Sequence, residues 1–219
     1  ASILKDIHKK EIGIVGILRD ITERNRLIDQ LRFNAFHDPL TSLPNRNLFM
    51  ERLERLIEHV KRDKSSSFSV LFLDLDRFKI INDSLGHLSG DKLLILIAKK
   101  LTECLRKADT VSRFGGDEFA ILLHSVDDAF NANFVAERIL EDLKKPFIVN
   151  GHKIVISASI GIVLKGELYN SPEDILRDAD TVMYQAKTLG KARYAIFNRE
   201  MHDTAMNFLQ LENDLRHAI

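Results

Sequence analysis

Two carboxylates, Asp74 and Asp76, stand one residue apart at the end of the apolar run FSVLFLDLD, and two more, Asp117 and Glu118, follow directly on Gly115 and Gly116. Alternate residues of a strand share a face, so a strand over residues 68–75 delivers Asp74 and Asp76 together, and paired acids at a strand end invite a metal ion. Lys187 and Lys191 lie four apart, the spacing at which side chains on one helix face turn toward a common anion. Acids for a divalent cation and lysines for phosphate are the parts that phosphoryl transfer asks for, since that chemistry depends on positioning and charge neutralisation more than on covalent help. Each group also has a plain reading, because acids at strand ends and turns, and lysines at helix ends, are commonly just solvated.

The elements that must position these residues are legible from periodicity. Residues 11–18 read as a strand and 20–36 as a helix with Ile21, Leu27, Ile28, Leu31 and Ala35 near helical spacing. Pro44 precedes an amphipathic helix through Leu48, Phe49, Leu53, Leu56, Ile57 and Val60. After the buried strand at 68–75 come a helix at about 90–106, a hairpin whose strands 110–114 and 118–124 flank Gly115-Gly116, and a helix at 130–144. A second hairpin across Asn150-Gly151 leads into one long strand, 154–164; Ser171-Pro172 then opens a helix that Gly190 closes, and a short strand follows at 194–197. The order β-α-β-β-α-β with an added hairpin predicts an α+β fold of the ferredoxin-like, palm type, with a mainly antiparallel central sheet flanked by helices.

Composition sets the bounds. The 219 residues suffice for one catalytic domain with flanking segments. Acidic and basic residues balance at 32 each, so no whole-molecule field attracts nucleic acid or an anionic membrane. The single cysteine, Cys104, excludes a disulfide framework and reads as a buried thiol in a reducing compartment. No apolar run reaches the roughly 18 residues that span a bilayer, so the stretch is expected to be cytoplasmic without direct membrane contact, though a longer parent could be tethered.

The string RFGGDEF resembles the signature of the GGDEF family of diguanylate cyclases, and DPLTSLPNR, FLDLDRFKIIND, GHLSGD, SASIGI, DADTVMYQAK and LGKARY follow that family's order and spacing. The resemblance places the cyclase domain at residues 38–200. It reads 1–19 as the end of a PAS-like sensor, 20–37 as a signalling helix and 201–219 as a linker helix leading toward an EAL phosphodiesterase domain. It implies condensation of two GTP into cyclic di-GMP and pyrophosphate, with two Mg²⁺ or Mn²⁺ per active site, in a homodimer whose two faces meet. Asp74, Asp117, Glu118 and the main-chain carbonyl of Leu75 match the metal-binding positions, and Glu118 with Asp117 the catalytic acids. Asn82 and Asp91 match the guanine readers, whose plain readings are a helix-ending Asn and a helix N-cap. Lys79, Lys187 and Lys191 match phosphate-contacting positions, although Lys191 stands where the family commonly has Arg and so gives up bidentate geometry. Arg106 and Asp109 form an RxxD at the family's product-inhibition position, Arg106 being placed in the last turn of a helix. The resemblance leaves a second function open: a domain that binds GTP without condensing it and regulates a downstream phosphodiesterase.

Overall fold

Alternation along the strand at the centre of the molecule decides which residues reach the site. The computed structural model describes residues 2–5, 7–15, 22–63, 66–124, 129–164 and 169–197, in two compact units, Ala1–Ala35 and Phe36–Ile219. In the first unit, strands β1 (Ser2–Lys5) and β2 (Glu11–Val15) pair antiparallel, and helix α1 (Thr22–Phe36) follows them in the chain. β1 was not expected. Residues 16–21 and the tail 198–219, where the end of the strand expected over 11–18, the start of the helix expected over 20–36 and the linker helix fall, lie outside the described residues.

The second unit opens with α2 (Arg46–Arg62), where Asn45 caps the helix by accepting from the Leu48 N–H at 3.2 Å. Its sheet has the order β4 (Thr110–Gly115), β5 (Glu118–His124), β3 (Phe68–Asp76), β8 (Ser157–Val163), β9 (Tyr194–Ile196), antiparallel throughout except for the parallel β8–β9 pair. Helices α3 (Phe78–Leu85), α4 (His87–Glu103), α5 (Ala129–Leu143) and α6 (Pro172–Thr188) complete it, with a separate hairpin of β6 (Phe147–Val149) and β7 (His152–Ile154). This is the α+β, mainly antiparallel architecture that the element order predicts.

Period-two alternation sorts the core into two layers. Leu71, Leu73 and Leu75 of β3 with Phe119, Ile121 and Leu123 of β5 pack with α4 and α5, whereas Val70, Phe72, Ala120 and Leu122 pack with α2 and α6. Each such buried Leu, Ile or Phe contributes about 1.5–3 kcal/mol relative to exposure. The even-numbered positions Asp74 and Glu118 continue the second layer, so both acids emerge on the α6 side. α6 lies close against β8 because Gly161 has no side chain: a Cβ there would stand 2.0 Å from the Ala179 carbonyl oxygen and 2.5 Å from the Met183 nitrogen.

Three boundaries differ from the sequence expectation. The long strand at 154–164 is two strands, because the chain leaves the small hairpin after Ile154 and joins the main sheet at Ser157. The helix expected at about 90–106 is α4, three residues earlier at both ends. It is preceded by the unexpected α3, and Gly86, at φ +81°, separates the two.

Candidate active site

Asp74 on β3 stands directly opposite Glu118 on β5, and the main-chain N–H of Leu75 donates to the carbonyl of Asp117 at 3.2 Å, closing the ladder where the hairpin turns. Directly opposed side chains share a face about 5 Å apart. Gly115 (φ +145°) and Gly116 (φ +50°) make the turn, with a register shift between Arg113 and Gly115 that marks a bulge. The turn is held from outside by Arg113, whose Nε and Nη2 donate to the Gly116 carbonyl at 3.1 and 2.8 Å. Its Nη1 donates to both oxygens of Asp38 at 3.0 and 2.9 Å. Asp38 in turn accepts from the Thr41 N–H and hydroxyl, at 2.8 and 2.6 Å. Burial by itself raises the Asp38 carboxyl, but the hydrogen bonds from Thr41 and the guanidinium of Arg113 outweigh it and hold the group below its usual range.

A cleft of about 210 Å³ opens at this end of the sheet, lined by Asp74, Leu75, Asp76, Arg77, Phe78, Lys79, Asp117, Lys187 and Lys191. The Lys187 ammonium donates to Asp74 Oδ2 at 2.8 Å. Burial lifts the Asp74 carboxyl above its ordinary value; Lys187 opposes this, and the charges of Asp117 and Asp76 add to it. Burial also lifts Glu118, reinforced by Asp74, Asp180 and Asp117 and opposed by Lys187. Burial first, and the neighbouring acids second, make both carboxyls hold their protons more tightly than free ones.

Of the sequence-predicted residues, Asp74, Leu75, Asp117, Lys79, Lys187 and Lys191 line this one cleft, and Glu118 faces Asp74 across the ladder. Lys191 arrives differently from the expected helical spacing: α6 ends at Thr188, and Lys191 comes round a loop of left-handed residues after Gly190. Asp76, expected with Asp74 as one of the paired acids, is instead buried and committed to the protein, accepting from Ser157 Oγ at 2.6 Å, Ser159 Oγ at 2.8 Å and the Ala192 N–H at 3.0 Å.

Asn82 and Asp91 lie outside the cleft lining, on the α3–α4 pair that continues from Lys79. Asn82 is within α3 rather than ending it, and Asp91 is the fifth residue of α4, exposed and not its N-cap. Gly90, next to Asp91 in the chain and packed on Asn82, was not singled out from the sequence: a Cβ there would fall 1.9 Å from Asn82 Oδ1. The other missed residue is Asp180 on α6, whose charge reaches Glu118; its signal was its place in DADTVMYQAK.

Arg106 is beyond the end of α4, not in its last turn. Asp109 binds the turn together, accepting from the Arg106 N–H at 3.0 Å and the His124 N–H at 3.2 Å. A second cavity, lined by Arg52, Arg55, Leu56, Ala108, Thr110 and His124, opens beside it.

The candidate ligands around Asp74 are all oxygen, which fits a hard divalent cation. Among the described residues no three His, Cys, Asp or Glu stand together as a ready ligand set, and Asp74 is paired with the Lys187 ammonium. No helix among the described residues is long and apolar enough to cross a membrane.

Comparison with known proteins agrees with this fold. The family described as "Diguanylate cyclase, GGDEF domain" matches residues 35–193. The bifunctional diguanylate cyclase/cyclic di-GMP phosphodiesterase MucR of Pseudomonas aeruginosa is 41% identical over 199 residues, which take in 91% of this chain and 28% of MucR. The solved GGDEF domain of TpbB from Pseudomonas aeruginosa superposes with TM-score 0.71 at 40% identity, covering 74% of this chain and 94% of that one. A microbial GGDEF domain solved for its interaction with bis-(3,5)-cyclic di-GMP superposes with TM-score 0.65 at 29% identity, covering 76% of this chain and 99% of that one.

Proposed function

The chain belongs to the diguanylate cyclase GGDEF domain family, and from that premise we propose that it condenses two GTP into cyclic di-GMP and pyrophosphate, one nucleotide on each of two copies. The observation that carries this reading is the Asp74–Glu118 pair facing across the ladder, with Asp74 lining a cleft that also holds Asp117 and three lysines. Asp74, Asp117, Glu118 and the Leu75 carbonyl would hold Mg²⁺ or Mn²⁺, two per site. Such cations neutralise the triphosphate and ease deprotonation of the ribose 3′-hydroxyl.

The chain's own residues do the rest. The first residues of α3, Phe78 and Lys79, line the cleft, so the positive end of that helix faces the phosphates. Lys187, which pairs with Asp74 at 2.8 Å, would turn to the triphosphate if a cation took its place on that carboxylate. Lys191 and Lys79 bind phosphate oxygens. Asp91 takes the N1–H and N2–H of guanine in a forked geometry, and Asn82 takes the neighbouring ring positions. Adenine lacks that pair of donors, so ATP is rejected. Each 3′-hydroxyl attacks the α-phosphate held on the other copy, forming a phosphodiester and releasing pyrophosphate. Cyclic di-GMP binds at Arg106 and Asp109, where Arg52 and Arg55 line the neighbouring cavity, and holds the two loaded faces apart.

A second reading, a GTP-binding domain that regulates a phosphodiesterase, rests on the cyclic di-GMP phosphodiesterase NbdA of Pseudomonas aeruginosa, named for that activity alone, 37% identical over 189 residues and spanned to 24% of its length by this chain. Incubation with GTP and Mg²⁺ separates the two. Cyclic di-GMP with two pyrophosphates per molecule supports the cyclase; bound, unconsumed GTP supports the regulatory domain.

A further inference from the structure

Asp76 occupies a place that none of the roles above uses. Its carboxylate is buried, with 6% of the residue exposed, and the three groups that donate to it among the described residues are neutral: Ser157 Oγ, Ser159 Oγ and the Ala192 N–H. The two serines belong to β8, Ser157 directly opposite Asp76 and Ser159 two residues along on the same face. The third donor comes from elsewhere, the loop after α6. That loop holds three successive residues at positive φ, Gly190 (+118°), Lys191 (+64°) and Ala192 (+51°). Glycine takes this conformation freely; for Lys191 and Ala192 it costs on the order of 1–2 kcal/mol each and persists only where neighbouring contacts impose it.

Beside the Arg193 Nε, which donates to the Lys191 carbonyl at 3.2 Å, two main-chain N–H contacts impose it here. The Lys191 N–H donates to the Ala186 carbonyl at 3.1 Å, and the Ala192 N–H donates to Asp76 Oδ2 at 3.0 Å, so the strained pair is tied on one side to the helix end and on the other to the sheet. Between the two ties stands the Lys191 side chain, in the cleft with Asp74 and Asp117. A lysine on a loose loop loses rotamer and backbone freedom on binding an anion; one on a fixed loop has lost the backbone part already.

We infer that Asp76 is a positioning residue: anchored by Ser157 and Ser159, it fixes the left-handed turn that presents Lys191 to a nucleotide triphosphate. It acts through Lys191, not on the cation. The inference rests on the nucleotide reading above and adds to it the residue that organises the phosphate contact.

The test is a double-mutant cycle read by titrating GTP and Mg²⁺ in the full chain under conditions too brief for turnover. Lys191→Ala is expected to weaken GTP roughly ten- to hundredfold, the range for a lost charge-assisted contact. Asp76→Ala is expected to weaken it comparably, and the double variant to be no weaker than Lys191→Ala alone, because the anchor has nothing left to position. Asp76→Asn, which keeps an acceptor toward Ala192 and can donate to a serine hydroxyl, is expected to stay near wild type. Equal losses from Asp76→Ala with and without Lys191 would overturn the inference, as would undiminished binding by Asp76→Ala. Should Asp76→Ala not fold, Ala192→Pro at the exposed loop removes the same N–H and forbids positive φ without touching the sheet. It must show the same non-additivity with Lys191→Ala, and independence there overturns the inference equally. A wild-type chain that does not bind GTP contradicts the nucleotide reading itself and takes this inference with it; wild-type binding with independent losses contradicts the inference alone.

Discussion

At the residue scale, the site is a balance of charges set by burial. Asp74 and Glu118 both hold their protons more tightly than free carboxyls do, Asp74 against an ordinary 3.8 and Glu118 against 4.5. In the cation-free chain such groups bind more protons folded than unfolded. Their contribution to stability therefore falls as pH rises from the ordinary values through the raised ones. Asp38 has the opposite sign: its lowered carboxyl adds stability above 3.8, lost as pH falls through the lowered value. A divalent cation competes with the raised protons, so Mg²⁺ affinity should be weaker at about pH 5 than at about pH 7, with proton release on binding. Calorimetry in buffers of differing ionisation enthalpy checks this, and pH-independent affinity without proton release would contradict it. Asp91 governs base choice instead. Asp91→Ala should cost GTP binding about 1–3 kcal/mol and leave ATP binding nearly unchanged, as read by parallel titrations. Equal losses for both nucleotides would make Asp91 a residue of the helix only.

At the element scale, positions within elements were more legible than the ends of elements. Alternation in FSVLFLDLD gives β3 and the face Asp74 takes, because period two is local. The division of α3 from α4 turned on one glycine, Gly86, whose positive φ no periodicity reveals. The break between β7 and β8 was hidden for a different reason: which sheet a β-rich run joins depends on partners far along the chain. The same limit misread Asp76, since a carboxylate beside a metal acid looks like a second ligand until Ser157, Ser159 and Ala192 are folded onto it. Gly90 offers a test of element packing. Gly90→Ala puts a Cβ 1.9 Å from Asn82 Oδ1 and 3.2 Å from Phe78 Cζ. The flexible amide will swing away rather than unfold the pair, so GTP affinity should fall roughly tenfold while the melting temperature drops by only a few degrees. GTP affinity unchanged beside a large loss of stability would show that Asn82 does not read the base.

At the scale of the whole molecule, one copy is an incomplete catalyst, because the reaction proposed joins nucleotides held on two copies. The sequence of α1 places Leu27, Ile28, Leu31 and Ala35 near helical spacing, a narrow stripe suited to pairing with its own copy. Removing residues 1–35, the first compact unit, should lower dimer content and specific activity together, measured by sedimentation and product formation at low protein concentration. A truncated chain as active as the full one would assign α1 no part in pairing. The account depends most on the acids that face one another at the end of β3 and β5. The direct measurement is cyclic di-GMP formed from saturating GTP and Mg²⁺ by the wild-type chain and by Glu118→Ala, with folding of both followed by melting. The predicted result is product and two pyrophosphates from wild type, and loss of turnover in a variant that remains folded, because an acid at the edge of a hairpin turn adds little to the core. Wild-type rates from Glu118→Ala, or a wild-type chain that binds GTP and forms no product, would contradict it.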